Sequence, residues 1–142
     1  MSPQHIRGFA GHRSVATVAL VVGNYDEAIA WYVDRLGFAL TDDIDLGGGK
    51  RWVTVTPAKG QGARLLLAEA SGEEQASRIG NQTGGRVFLF LETDDFSRDH
   101  QAMLEKGVEF REAPRHEVYG TVAVFADLYG NLWDLIEPKR QG

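Results

Sequence analysis

One pattern occurs twice along the chain. The run Ala16-Thr17-Val18-Ala19-Leu20-Val21-Val22 leads into Asn24-Tyr25-Asp26-Glu27-Ala28-Ile29-Ala30-Trp31-Tyr32 and then Leu36-Gly37-Phe38. Further on, Val87-Phe88-Leu89-Phe90-Leu91 leads into Thr93-Asp94-Asp95-Phe96, a polar stretch with Met103 and Leu104, and then Lys106-Gly107-Val108. Tyr25 and Phe96 are 71 residues apart, and Gly37 and Gly107 are 70 apart. A period of this length marks two copies of one supersecondary unit, neither of which buries its apolar face alone.

Each copy reads as strand, helix, strand, strand, strand. Asn24 can cap the first helix with Glu27 as its capping-box partner, and Gly37 supplies the left-handed stop. Tyr25, Ala28, Ile29, Tyr32 and Leu36 recur at helical spacing, so that one face of this helix is buried. In the second copy Asp94 or Asp95 can cap, Gly107 ends the helix, and Phe96, Met103 and Leu104 form a thinner stripe. Short β-rich runs follow each helix: Phe38 to Thr41, Trp52 to Thr56 and Arg64 to Glu69, then Glu109 to Glu112, Thr121 to Phe125 and Asn131 to Ile136. His116 is placed in the loop before a strand.

The expected organisation is an N-terminal module over residues 14–70, a linker over 71–85 with a short helix at Glu73 to Arg78, and a C-terminal module over 86–138. The fold class is α+β, with curved mixed sheets around a cup-shaped cleft. The modules pair within the chain or across a homodimer. A concave sheet with inward residues from both modules is a natural small-molecule pocket.

Composition narrows the function. Fifteen Lys and Arg stand against 20 Asp and Glu, a formal charge of −5, which argues against general nucleic-acid binding. With 43% apolar residues among 142, the chain can fill a core. It has no cysteine, hence no disulfide, thiolate metal site or cysteine nucleophile. Residues 1–14 lack the apolar core of a signal peptide, and the apolar run Val15 to Val22 falls well short of the ~20 residues that span a bilayer. The expectation is a cytoplasmic protein without membrane partners. No phosphate loop, zincin His pair or Gly-x-Ser-x-Gly elbow is present.

The pieces from Val18 to Phe38, and the closing Asp127-Leu128-Tyr129-Gly130-Asn131-Leu132-Trp133-Asp134-Leu135-Ile136-Glu137-Pro138, resemble the vicinal oxygen chelate superfamily of glyoxalases, extradiol dioxygenases and bleomycin-resistance proteins. The ending is similar to that family's Asp-Pro-x-Gly-Asn motif, with Leu128 at the Pro position. The resemblance implies paired βαβββ modules around a cup. In metal-using members it also implies His, Gln or Glu on the inner faces of four strands. Carried onto this sequence, those positions fall on Thr17, Leu67, Phe88 and Asp134, of which only Asp134 is a metal-ligand type. His5 and His12 lie in the polar N-terminal stretch and His100 on a helix, so none of the histidines replaces the missing donors.

Two function classes follow. One is a metal-free binder of an aromatic or cationic organic molecule, requiring no cofactor, with Thr17, Trp52, Leu67, Phe88, Phe90, Tyr119, Phe125 and Asp134 as ligand-binding residues. The alternative is a glyoxalase- or dioxygenase-type lyase or oxidoreductase that holds a divalent metal on a shifted set of Asp134, Glu92 and Glu69. Metal-independent catalysis would use Asp134 or Glu92 as general base.

Overall fold

The computed structural model describes residues 11–59 and 61–140, and His5 lies outside the described residues. The elements run in the order β1 (Thr17–Val22), α1 (Tyr25–Ala30), β2 (Phe38–Gly47), β3 (Lys50–Pro57), β4 (Arg64–Glu69), α2 (Gly72–Ala76), β5 (Leu89–Glu92), α3 (Phe96–Glu105), β6 (Glu109–Phe110), β7 (Arg115–Glu117), β8 (Gly120–Ala126) and β9 (Leu132–Pro138). The first four strands form one sheet in the order β1-β4-β3-β2. The others form a second sheet in the order β5-β9-β8-β6, with β7 also on β8. β1 is parallel to β4 and β5 to β9, while the hairpin pairs are antiparallel. This is the α+β arrangement of two strand-helix-strand-strand-strand units, with β6 and β7, both paired to β8, in the place of one strand in the second unit.

The internal repeat is visible in single hydrogen bonds. The Asn24 side chain accepts from the Glu27 N–H at 2.9 Å, and the Asp95 carboxylate accepts from the Arg98 N–H at 3.1 Å. Glu69, ending β4, accepts from the Tyr25 N–H at 3.1 Å, and Glu137, near the end of β9, accepts from the Phe96 N–H at 2.7 Å. The first turn of each long helix therefore has orphan donors satisfied by a capping side chain and by a carboxylate from its own module, where the helix dipole favours negative charge. α1 continues through Trp31–Arg35 as a π-helical segment, closed by the Leu36 N–H on the Trp31 carbonyl at 3.3 Å.

Both sheets turn their helix-bearing sides into one shared core. Leu20, Val22, Val55, Leu65 and Leu67 come from the first sheet, Phe125, Trp133 and Leu135 from the second, and Tyr32 and Phe38 lie between. The Tyr32 hydroxyl donates to Asp127 at 2.7 Å, and its ring centre lies 6.1 Å from that of Trp133. Asp127 is held in turn by the N–H groups of Tyr129 and Asn131 and by the Asn131 side-chain amide. Tyr129 donates to Glu27 at 2.8 Å, and Arg35 donates to the Lys106 carbonyl at 2.7 Å. The modules of one chain are thus joined through their helix sides, and no helix among the described residues covers the opposite face of either sheet.

Three elements differ from the sequence expectation. β2 runs on to Gly47 and does not stop near Thr41. A register shift between Leu40 and Asp42 absorbs the polar stretch, and the tight turn at Gly47-Gly48-Gly49, all at positive φ, closes the hairpin. Arg115–Glu117, expected as loop, is a strand because β8 supplies its hydrogen-bonding partners. β6 ends at Phe110, two residues before Glu112.

Candidate functional site

Strand register decides which side chains share the open faces, since alternate residues point to opposite sides. In the first sheet Leu20 pairs with Leu67 and Val18 with Leu65, all on the core side. The open face therefore carries Thr17 opposite Arg64, Ala19 opposite Leu66 and Val21 opposite Ala68. β3 adds Thr54, paired with Leu66, and Trp52 two residues away. β2 brings Asp42 opposite Thr54 and Ile44 opposite Trp52. Thr54 donates to Asp42 at 2.8 Å, and Arg64 stands 3.8 Å from the same carboxylate. Trp52 is 37% exposed and Ile44 51%, so apolar surface lies open there.

The second sheet is arranged likewise. Trp133 and Leu135 point into the core, so Asp134 between them points to the open face, with Phe90 beside it on β5 and Val124 on β8. The next row carries Glu92, Ile136, Val122 and Arg115. Phe90 is 63% exposed, whereas the Asp134 residue is only 7% exposed and its Oδ1 is fully buried with no hydrogen-bond partner. Desolvation holds the Asp134 carboxyl above the usual carboxylate range. Glu112 pushes it the same way, and Arg115 opposes. Arg115 itself donates to Glu112 at 3.0 Å and to Glu117 at 2.5 Å, and Glu112 also accepts from the Val124 N–H at 3.0 Å.

The sequence-predicted residues fall into three groups. Thr17, Trp52, Phe90 and Asp134 lie on the open faces, and Tyr119 stands 52% exposed in the β7–β8 turn at the rim. Phe88, half-buried ahead of β5, meets Trp133 edge-on at 6.5 Å between ring centres. Leu67, Phe125 and Glu69 require correction. Leu67 and Phe125 are fully buried on the core side, the latter stacked on Trp133 at 5.8 Å, and Glu69 is spent on the first turn of α1. The residue of β4 that does occupy the open face is Leu66. The repeat itself signals this: Glu69 and Glu137 play the same role 68 residues apart, and 134 minus 68 is 66. Arg64, Thr54 and Arg115 were missed. Arg115 had no apolar alternation to mark its strand, and Arg64 and Thr54 needed the β4 register.

The shifted metal set does not assemble, because Glu69 lies on the opposite side of its sheet from the open face. Among the described residues no three His, Asp or Glu side chains gather in a group able to hold a metal ion. Thr17, Leu66, Phe88 and Asp134 offer one carboxylate, one hydroxyl and two hydrocarbon side chains, a donor set that does not fit a catalytic divalent ion. A separate groove of about 720 Å³ runs between the modules on their core side, lined by Leu36, Phe38, Lys59, Leu91 and Met103, and Glu92 reaches it. No helix among the described residues is long and apolar enough to cross a membrane.

Comparison with known proteins gives the same architecture. An uncharacterised protein of Shewanella frigidimarina is 55% identical over 126 residues, covering 88% of this chain and 93% of that protein. The crystal structure of UcmS2 superposes with a TM-score of 0.78 at 26% identity, covering 89% of this chain and 99% of the other. That of TnmS3, an antibiotic binding protein from Streptomyces sp. CB03234, gives 0.72 at 28% identity, covering 93% of this chain and all of the other. The model of the Glyoxalase/Bleomycin resistance protein/Dioxygenase superfamily matches residues 14–135, and the chain belongs to that superfamily.

Proposed function

We propose that the protein is a metal-independent binder of a flat organic molecule, held between the open faces of an N-terminal and a C-terminal module. The observation that carries this reading is the composition of the open faces. Where a metal enzyme of this architecture needs several donors, this chain presents Thr17 and Leu66 with the single acid Asp134, while Phe88 packs against the core residue Trp133. Around them stand Trp52, Ile44 and Phe90, each with a large exposed apolar surface. Such surfaces mark ligand or partner contacts. The similarity to an antibiotic binding protein over nearly the whole chain supports the same class of function.

The cup is completed by a second copy. Within one chain the modules already meet through their helix sides, at Tyr32–Asp127, Tyr129–Glu27 and Arg35–Lys106, so neither open face can close on the other. A twofold axis lays each N-terminal module against the partner's C-terminal module and produces two equivalent cups, the closed symmetry that isologous dimers adopt. The expected solution mass is twice the 15.6 kDa of the chain.

Tryptophan fluorescence tests the binding reading. Titration with a panel of polycyclic aromatic compounds is expected to give saturable quenching that Trp52→Phe reduces and Phe90→Ala weakens about tenfold. Such a loss corresponds to about 1.4 kcal/mol, within the range for removing one buried aromatic contact. An absence of saturable response across the panel, together with uptake of one metal equivalent, would sink it.

A further inference from the structure

We propose that the groove on the seam between the two modules, on their core side, binds a small organic acid through both its carboxylate and its hydrocarbon. This site is separate from the cup and stands or falls independently of the binding reading above. The groove encloses about 720 Å³, a volume ordinary for a small-molecule site. Its walls come from both modules, with the end of the π-helical segment and the end of β3 on one side and the end of β5 and α3 on the other. Leu36, Phe38 and Met103 belong to the shared core, and Leu91 packs against it. A hydrocarbon chain seated there extends an existing apolar surface.

Three cations surround this floor without carboxylate partners. Arg35 and Lys106 stand 71 residues apart, the spacing of the repeat, and each closes the helix of its own module, where the helix dipole favours positive charge. The fold brings these equivalent ends together. Arg35 crosses the seam to donate to the Lys106 carbonyl at 2.7 Å, and it lies so close over Gly107 that a Cβ there would stand 2.8 Å from its Nη1. Lys59 lines the same groove just after β3. Among the described residues none of these three forms an ion pair, whereas Arg51, Arg98, Arg111 and Arg115 all do. The acids of the groove do not redress this. Asp94 and Asp99 are both bound to Arg98, at 2.8 and 3.0 Å, which leaves Asp34 and Glu92 against three cations. A carboxylate in the groove gives these cations the counter-charge that the chain withholds, through charge-assisted hydrogen bonds, while its chain covers Leu91 and Met103.

Octanoate, 1-octanol and inorganic phosphate separate the charge from the hydrocarbon. The readout is the methyl signal of Met103 in protein labelled with carbon-13 methionine, since the chain has only Met1 and Met103 and Met103→Leu identifies the groove's signal. At pH 7.5 octanoate is expected to move that signal saturably, with an affinity at least about tenfold above that of 1-octanol or phosphate. The double variant Lys59→Gln/Lys106→Gln keeps the Arg35 contact with the residue 106 carbonyl, and should weaken octanoate about tenfold with circular dichroism unchanged. Equal affinity for octanoate and 1-octanol, or octanoate binding undiminished in the double variant, overturns the role of the cations. Phosphate binding as tightly as octanoate overturns the role of the apolar floor. A Met103 signal that octanoate does not move saturably overturns the groove as a site, and tryptophan quenching by octanoate in that case would place the acid in the cup.

Discussion

Asp134 is the residue whose surroundings most constrain the chemistry, and its burial makes a prediction about stability as well as binding. The unfolded chain ionises this carboxyl in the ordinary carboxylate range, while desolvation moves the folded value upward. Between those two values the folded state holds a proton that the unfolded state has lost, so stability falls as pH rises through the window and stays low above it. Asp134→Asn keeps the shape and cannot ionise. It should raise the melting temperature at pH 7.5, with the gain shrinking as pH falls into the ordinary carboxylate range. A scanning calorimetry series showing a constant difference at all pH values would contradict the assignment. Tyr32→Phe tests the other buried polar contact. It leaves Asp127 without the phenol that donates at 2.7 Å, and a hydrogen bond to a charged group of this kind is worth about 1.5–3 kcal/mol in denaturant unfolding. Gly80→Ala is expected to be more disruptive than Gly84→Ala, although both positions have positive φ. A Cβ at Gly80 would lie 2.1 Å from the Tyr129 carbonyl oxygen, while at Gly84 it meets open space. At this scale the sequence reading went astray at Leu67, a slip of one position that exchanges the two sides of a strand. Thr17 and Asp134 fall on the open faces because the motifs around them fix their register.

The elements were legible wherever local signals agreed. Asn24 and Asp95 cap as their types suggest, and the apolar spacing of Tyr25, Ala28, Tyr32 and Leu36 marks a helix face that is buried in the fold. β7 was not legible, since Arg115-His116-Glu117 has no apolar residue and becomes a strand only because Thr121 and Val122 present an edge to it. Long-range pairing of this sort overrides local preference. The linker also does something that no local rule foretells: the Gln82 side-chain amide accepts from the Val21 N–H at 3.3 Å and donates to the Val21 carbonyl at 3.4 Å. It thereby blunts the exposed edge of β1, the kind of edge that otherwise invites pairing with another chain. Gln82→Ala is expected to speed amide exchange at Val21 while leaving β3, which is paired on both sides, unchanged. Hydrogen-exchange mass spectrometry reads both strands in one experiment, and equal protection of β1 with and without Gln82 would refute the role.

For the molecule as a whole, the duplication explains both what is packed and what is left open. Two copies of a unit that buries only one sheet face have met through their helix sides, and the shared core of Tyr32, Phe38, Phe125 and Trp133 absorbs the apolar surface that each copy could not cover. Trp52 and Phe90 stand exposed on the opposite faces of the single chain, the faces proposed to receive a ligand and a second copy. The fold was readable because the repeat is long and its helix signals recur. The candidate site was readable only in part, because which side chains share an open face depends on β-strand register, which a linear sequence does not fix. Light scattering should give a dimer, and Phe90→Arg on the open face should shift it toward monomer while leaving the far-ultraviolet circular dichroism unchanged. The most direct test of the central claim, that hydrocarbon and hydroxyl have replaced metal donors around Asp134, is a calorimetric titration of chelator-treated protein with zinc, manganese, nickel and ferrous ions. The expected result is no stoichiometric uptake of any of them. Submicromolar binding of one equivalent, abolished by Asp134→Ala, would contradict the account.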